Sequence, residues 1–347
     1  MMPGSDGSAL NQPKFICFGE GLVDRLGPLG GNPDCDLPVD DCLGGAPANV
    51  ACGLAKLGND VAFIGRFGND SIGRDFRKLM THRGVNLKGC QIDLLRPTRI
   101  VLVQRDLKGD RTFKGFSGDQ KDGFSDQAID CQSISKVWDY LHKKACWLLI
   151  GSIPLASPVS AESLLWCIDR AKKNGLRIAF DVNWRPTFWD AKLPANSGPS
   201  ENVKELIATL FESASLLKLA REEAIWFFNE TDPCLISRSL PLSPDVVITD
   251  GSKKVKWWMF GRQGETDVMP VRSVVDTTGA GDAFTAGLLH QYLLKNVFPD
   301  QELYPDNMVR FAAACGAMVC GGAGAISPQP SKHEVEVFLS SFEGLIS

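Results

Sequence analysis

The chain has 347 residues, 44% hydrophobic and 22% charged, with a formal net charge of −4, the balance of an ordinary globular protein. Its length exceeds the usual limit for one core, about 250–300 residues, which suits one large domain with a small accessory lobe as well as two equal domains. No Lys/Arg block marks a nucleic-acid footprint, and the eleven cysteines, scattered from Cys17 to Cys320 without a CxxC pair, read as small buried hydrophobes of a reducing compartment.

The four histidines (His82, His142, His290, His333) show no metal-ligand spacing, which argues against zinc. The first twelve residues lack the charged and apolar regions of a secretory signal, and the longest uncharged stretch, from Phe311, is broken by Pro328 and Pro330, too short for a membrane span. A soluble, cytoplasmic protein is expected, with a plastid open if a transit peptide has been removed.

Along the chain, residues 1–14 read as a flexible terminus and 15–347 as one domain. Phe15–Phe18 is a short apolar strand. Ala46–Lys56 reads as a helix opening on Pro47 and closing at Gly58, followed by a strand, Val61–Gly65, and a helix over 71–82 ended by Gly84. Two apolar runs within Thr98–Phe116 flank a polar turn, a hairpin pattern; with the edge near Gly30–Leu43 it would build a small β-sheet standing off as a lid, spanning about 25–43 and 98–116. Alternation then resumes: strand Trp147–Ile150, helix Ala161–Asn174, strand Arg177–Asp181, helix Val203–Ser213, strand Leu216–Leu219, helix Arg221–Phe228, strand Val246–Thr249. A second hairpin lies around Gly261–Gly264, and two last helices begin near Gly279 and Asp306. Leu193–Ser200 is a surface loop. The pattern predicts an α/β fold with a mainly parallel central sheet flanked by helices.

The sharpest chemical feature is Asp276-Thr277-Thr278-Gly279-Ala280-Gly281-Asp282 before the apolar helical run from Ala283. Glycines expose successive N–H groups, and a helix N-terminus adds partial positive charge, so the segment reads as an anion cradle. Asp282, in the first turn, is placed to take a proton from a hydroxyl held beside it. That pairing is what phosphoryl transfer needs. Taken alone, Gly-Ala-Gly-Asp also fits an ordinary glycine-rich loop with a capping aspartate. No P-loop string GxxxxGK followed by Ser or Thr occurs, and no GxGxxG follows the first strand.

DTTGAGDAF resembles the C-terminal signature of the PfkB (ribokinase-like) carbohydrate kinases, and Gly44-Gly45-Ala46-Pro47-Ala48-Asn49-Val50-Ala51 resembles the N-terminal signature in its fructokinase form. The resemblance runs from about Phe15 to Leu339. It implies a ribokinase-like fold, ATP and Mg2+ as cofactors, and transfer to a sugar hydroxymethyl group, with D-fructose favoured. Nucleoside, ribose and 2-keto-3-deoxygluconate kinases, and a non-catalytic scaffold, are the alternatives. By the resemblance, Asp282 is the catalytic base and Gly279, Ala280 and Gly281 form the anion hole. Asp24, Gly44, Gly45 and Asn49 bind sugar. Arg185, in Asp181-Val182-Asn183-Trp184-Arg185-Pro186, contacts substrate or phosphate, unless it makes a buried salt bridge. Arg111 on the lid is a substrate contact or an ordinary surface arginine. Asn183, Lys218, Glu223, Thr249, Gly251, Gly279, Gly281 and Gly324 face ATP, with Gly322, Ala323 and Ala325 closing around the nucleoside. Glu223 would organise magnesium through water, and potassium would be held beside Asp276 and Thr278. Sugar and ATP are the only expected partners, apart from a second copy pairing through the lid.

Two departures stand out. The family's N-x-x-E motif reads Ala220-Arg221-Glu222-Glu223 here, with alanine for asparagine. In the T-x-G-x-x-G pattern starting at Thr249, the last glycine is Lys254.

Overall fold

The computed structural model describes residues 11–107, 111–118, 123–271, 273–297 and 304–343. In chain order the elements are β1 (Phe15–Phe18), β2 (Leu22–Leu29), β3 (Asp40–Gly44), α1 (Ala46–Lys56), β4 (Val61–Gly68), α2 (Ser71–His82), β5 (Cys90–Asp93), β6 (Ile100–Arg105) and β7 (Arg111–Ser117). They continue with α3 (Cys131–His142), β8 (Trp147–Ile150), α4 (Pro158–Lys173), β9 (Arg177–Asp181), α5 (Pro186–Trp189), α6 (Glu201–Phe211), β10 (Leu216–Ala220), α7 (Arg221–Phe228) and α8 (Pro233–Ser239). The last are β11 (Asp245–Thr249), β12 (Val255–Met259), β13 (Arg262–Thr266), α9 (Ala280–Val297), α10 (Pro305–Val319) and α11 (Lys332–Glu343).

Nine strands form one sheet in the order β13-β12-β11-β10-β9-β8-β1-β4-β5. All neighbours pair in parallel except the hairpin edge, where β11, β12 and β13 run antiparallel. Its central strands are continuous apolar runs because both faces are covered. Successive residues of β1 separate onto the two faces: Phe15 and Cys17 join a core with Leu54, Leu288 and Phe311 from α1, α9 and α10. Ile16 and Phe18 join a second core with Ile134, Leu164 and Ile207 from α3, α4 and α6. At about 25 cal/mol per Å2 of apolar surface buried, this two-faced arrangement is the main source of stability.

A separate four-stranded sheet has the order β3-β2-β6-β7. The ribokinase-like α/β architecture expected from the sequence is therefore present, with a smaller separate sheet beside the large one. The strand β2 begins earlier than expected, at Leu22, because Leu22 and Val23 already pair with Gly44 and Leu43 of β3. The small sheet is anchored on the large one at Thr98: Asp70, the N-cap of α2, accepts hydrogen bonds from Gly73 N (2.7 Å), Thr98 N (2.7 Å) and Thr98 Oγ1 (3.0 Å). A capping carboxylate thus ties the entry of β6 to a helix N-terminus.

Several boundaries differ from the sequence reading. The helix expected at Ala161 starts at Pro158, where proline suits the first helical turn, and the one expected at Val203 starts at Glu201. The short α3 and α8 each begin after an aspartate cap, Asp130 and Asp232, that the apolar periodicity does not reveal. Three helices, not two, close the chain; α11 escapes notice because Val335 is its one fully buried apolar residue. The eleven cysteines are free thiols, and Cys17, Cys52, Cys167, Cys234 and Cys315 are buried. No helix among the described residues is long and apolar enough to cross a membrane.

Candidate active site

The carboxyl ends of the parallel strands β1, β9, β10 and β11 deliver Glu20, Asp181–Arg185, Lys218 and Thr249–Gly251 to one edge of the large sheet, where open α/β sheets bind ligands. Helix α9 starts against this edge. Gly279, just before it, has φ 79°, and a Cβ there would overlap Ala325; glycine is required on both counts. The N–H groups of the first turn of α9 lack intrahelical acceptors. Of these, Ala280 N donates to Thr277 O at 3.2 Å, so the amides of Gly279 and Gly281 are the better placed of the expected anion-hole groups.

Asp282 lies in that first turn and is half-buried. Its Oδ2 accepts a 2.7 Å hydrogen bond from Asn49 Nδ2 on α1, so the two signature motifs meet across 233 positions of sequence. Burial pushes the Asp282 carboxyl above the usual carboxylate value, against the Asn49 bond; the Asp181 charge adds to the rise, while Lys218 and Arg185 oppose it. A raised value suits a group that must release and take a proton near neutrality.

Behind the cradle sits a buried ion pair. Lys218 Nζ is 3.1 Å from Asp181 Oδ1, and Thr285 Oγ1 donates to Asp181 Oδ2 at 2.7 Å. Thr285 Oγ1 is also 3.0 Å from Gly281 O, and a Cβ on Gly281 would stand 3.3 Å from Lys218 Nζ. Burial pulls the Lys218 ammonium down, but Asp181, Glu223 and Asp282 outweigh it and hold the group above the ordinary lysine value. Glu223 is buried, accepting Trp184 N and Ala220 N at 2.7 Å each, and burial pushes its carboxyl up despite Lys218. Each of its oxygens therefore accepts one main-chain amide. Ala220 is the N-cap of α7 and has no acceptor of its own; the reach of Glu223 back to its amide supplies half of a capping box.

On the lid side, Asp24 sits mid-strand in β2, paired with Cys42 of β3 and Val101 of β6. Its Oδ2 would lie 3.4 Å from a Cβ on Gly44. A cavity of about 180 Å3 joins Asp24 and Cys42 to Asp276, Thr278 and Gly324. Gly45, with φ 101°, passes Glu20 O so closely that a Cβ would be 2.8 Å from it. The expected potassium residues form a loop tie: Asp276 Oδ1 accepts Thr278 N (2.9 Å) and Thr278 Oγ1 (2.7 Å), and Oδ2 accepts Gly324 N (3.0 Å).

On the other side of the cradle lies a cleft of about 800 Å3 bordered by Thr249, Gly251, Thr277, Ala280, Gly281 and Phe284. Lys254, the departure from the glycine pattern, points to the surface beside Asp267 at 3.5 Å. Asn183 adopts φ 43° at the turn after β9. Arg185 is exposed and donates to Trp184 O at 3.0 Å; the alternative of a buried salt bridge is not what the structure shows. Arg111 opens β7, but its side chain lies outside the described residues. Asp181, Thr285 and Glu20 were not singled out by the sequence. Glu20 follows Gly19 within the quoted Gly-Glu-Gly run, and Asp181 opens the quoted DVNWRP segment; position in a motif was the signal available.

All of these residues but Glu20 and Asp24 lie in a segment shared with known kinases. The pattern of the pfkB family carbohydrate kinases matches residues 40–332. The chain belongs to the PfkB family of carbohydrate kinases. As a PfkB sugar kinase it is a phosphotransferase. It is 31% identical over 338 residues to a protein named probable fructokinase-6, chloroplastic, of Arabidopsis thaliana, covering 95% of this chain and 83% of that one. It is 30% identical over 330 residues to the fructokinase of Klebsiella pneumoniae, with 93% and 98% covered. Among solved structures, the fructokinase of Vibrio cholerae O395 in its fructose, ADP and calcium ion bound form superposes with a TM-score of 0.77 at 27% identity, covering 94% of this chain and 99% of that one. The fructokinase of Xylella fastidiosa with bound ATP gives 0.76 at 26%, with 95% and 99% covered.

One group at this PfkB site titrates in an accessible range. Glu20 is 2% exposed; its Oε1 accepts Ala46 N at 3.2 Å, and its Oε2 is buried without a partner among the described residues. Burial above all, with the Asp126 and Asp282 charges adding, lifts its pKa from 4.5 to about 7. A folded value above the unfolded one favours the folded state below the lower pKa and loses that contribution as pH rises through the higher. We expect Glu20→Gln, which keeps the Ala46 acceptor, to gain melting temperature over wild type as pH rises from 5 to 8, the full effect being on the order of 3 kcal/mol. A difference between the two proteins that is flat with pH rejects the assignment.

Proposed function

We propose that this PfkB kinase transfers the γ-phosphoryl group of ATP to a sugar hydroxymethyl group, and that the sugar is D-fructose, giving fructose 6-phosphate. The observation that carries the reading is Asp282 directly after the Gly279–Gly281 turn, its carboxylate bonded to Asn49 of the other signature motif and Ala280 and Gly281 of the turn bordering a large cleft. The fructokinase names of relatives across nearly the full chain support the choice of sugar. Fructose and ADP in the related Vibrio cholerae structure, and ATP in that of Xylella fastidiosa, support the reactants.

In this reading Asp24, Gly44, Gly45 and Asn49 hold the sugar. Glycines at 44 and 45 let the backbone come close, and Asn49 Oδ1, buried without a partner among the described residues, is an acceptor for a sugar hydroxyl. Asp282 receives the proton of the attacking hydroxyl. The amides of the Gly279–Gly281 turn and the N-terminus of α9 stabilise charge on the migrating group, with the Lys218 ammonium next to Gly281 and the exposed Arg185 guanidinium adding positive charge near Asp282. The cleft volume and its border at Thr249, Gly251 and Gly281 fit a nucleoside triphosphate. Magnesium would arrive with the phosphates, which need few protein ligands for it, and would neutralise phosphate charge; each Glu223 oxygen accepts one main-chain amide and keeps a second lone pair with which it would hold a magnesium-bound water. As a potassium ligand Asp276 would share a carboxylate that already accepts three hydrogen bonds. The four-stranded sheet serves as a lid that closes over the sugar and excludes water. Leu29, Leu37 and Leu107, at 58%, 82% and 83% exposure, favour a homodimer through it, which sedimentation as a monomer at micromolar concentration would dismiss.

The deciding assay is coupled ADP release with a panel of D-fructose, ribose, 2-keto-3-deoxygluconate and nucleosides. Turnover highest on fructose is expected; another preferred acceptor replaces the sugar assignment, and no turnover on any member favours a scaffold. Asp282→Asn should lower kcat by about 10^2- to 10^4-fold, the usual worth of a positioned base, with nucleotide affinity nearly unchanged. A variant with near-normal kcat rejects Asp282 as the base.

A further inference from the structure

We infer that Asp181 and Thr285 are positioning residues of the phosphoryl-transfer site, acting through Lys218 and the first turn of α9. The inference deepens the proposed role of the Gly279–Gly281 turn and rests on it. Asp181 is 5% exposed and uses one carboxylate oxygen on each of two elements: Oδ1 meets Lys218 Nζ of β10 at 3.1 Å, and Oδ2 accepts Thr285 Oγ1 of α9 at 2.7 Å. Thr285 lies one helical turn beyond Gly281 and contacts its carbonyl oxygen at 3.0 Å. Lys218 Nζ stands where a side chain on Gly281 would point. One buried carboxylate therefore sets both the place of the ammonium below the cradle and the seat of the helix that forms it.

Lys218 has several rotatable bonds, and in a buried site an ammonium without its partner carries a large desolvation cost. Fixed by Asp181, it supplies a defined positive charge to the turn where negative charge develops. The same ammonium also governs Asp282. Asp282 is faced by Asn49 from α1, Asp181 from β9, Arg185 from the segment after it, Lys218 from β10, and Glu20 after β1. Among these, Lys218 and Arg185 favour the anion, while Asp181 disfavours it.

Substitutions at Asp181, Lys218 and Thr285 test the unit in the full-length kinase with its preferred sugar. Asp181→Asn should lower kcat about 10^2-fold, the loss expected of a displacement near 1 Å, with a much smaller change in sugar KM. Because Asp181 acts partly through Lys218, Asp181→Asn combined with Lys218→Met should cost clearly less than the sum of the two single losses; fully additive losses overturn the inference. Lys218→Met removes the positive charge that holds Asp282 ionised, so the acid limb of kcat/KM should move to higher pH, a shift that loss of packing alone would not produce. An unmoved limb also overturns it. Should Asp181→Asn fail to fold, Thr285→Val carries the comparison: kcat should fall at least several-fold and Thr285→Ser, which keeps the hydroxyl, should recover most of it; unchanged kcat in Thr285→Val counts against the unit. Failure of these tests with Asp282→Asn still inactive rejects the positioning unit and leaves the base assignment standing, whereas an active Asp282→Asn rejects the reading beneath both.

Discussion

The site is organised around a place where two stretches of backbone pass too closely for a side chain. Gly279 meets Ala325 in a left-handed conformation, leaving no room for a Cβ. That contact fixes where α9 begins, and with it the direction of its N-terminal amides. The loop closing over it is held by Asp276, whose carboxylate bonds Thr278 on one strand of the passage and Gly324 on the other. A helix N-terminus can stabilise an anion only if it is held where the anion arrives, and here steric exclusion and a shared carboxylate do the holding.

Around this point the fold concentrates ionisable groups that would be costly in isolation. Asp181, Lys218, Glu223 and Asp282 come from two neighbouring strands, β9 and β10, and two helices, α7 and α9, and all but Asp282 are nearly closed to solvent. Their charges are tolerable together because each has an opposite charge, a main-chain donor or a side-chain donor. The acidic excess then keeps Lys218 charged. The electrostatics of the cluster are thus inseparable from the parallel sheet, which brings the ends of β9 and β10 side by side.

The parts legible in the sequence were those written in consecutive residues. The apolar runs of the central strands, the glycines around Gly44 and Gly279, and Asp282 after its glycine pair each carry their meaning locally. Asn49 and Asp282 could be recognised separately, but their 2.7 Å bond spans 233 positions. The Asp181–Thr285 contact spans 104 and leaves no periodic trace, so Thr285 reads only as one more residue on an apolar helix. The helix α11 and the start of β2 were missed for a related reason: their stability comes from partners elsewhere, not from strong local periodicity. The exposed position of Arg185 likewise depends on how the segment after β9 turns at Asn183, which no residue pattern fixes.

The separation of β1 onto two cores has a consequence for how chain length can vary in proteins built this way. Phe15 and Cys17 belong to one core, Ile16 and Phe18 to the other, so a single inserted or deleted residue would hand each side chain to the opposite face. The same slip would displace Glu20 and Asp24, which the strand feeds directly into the cavity side of the site. A single inserted or deleted residue should accordingly be far better tolerated in a connection such as the surface loop between α5 and α6 than between the first strand and Asp24.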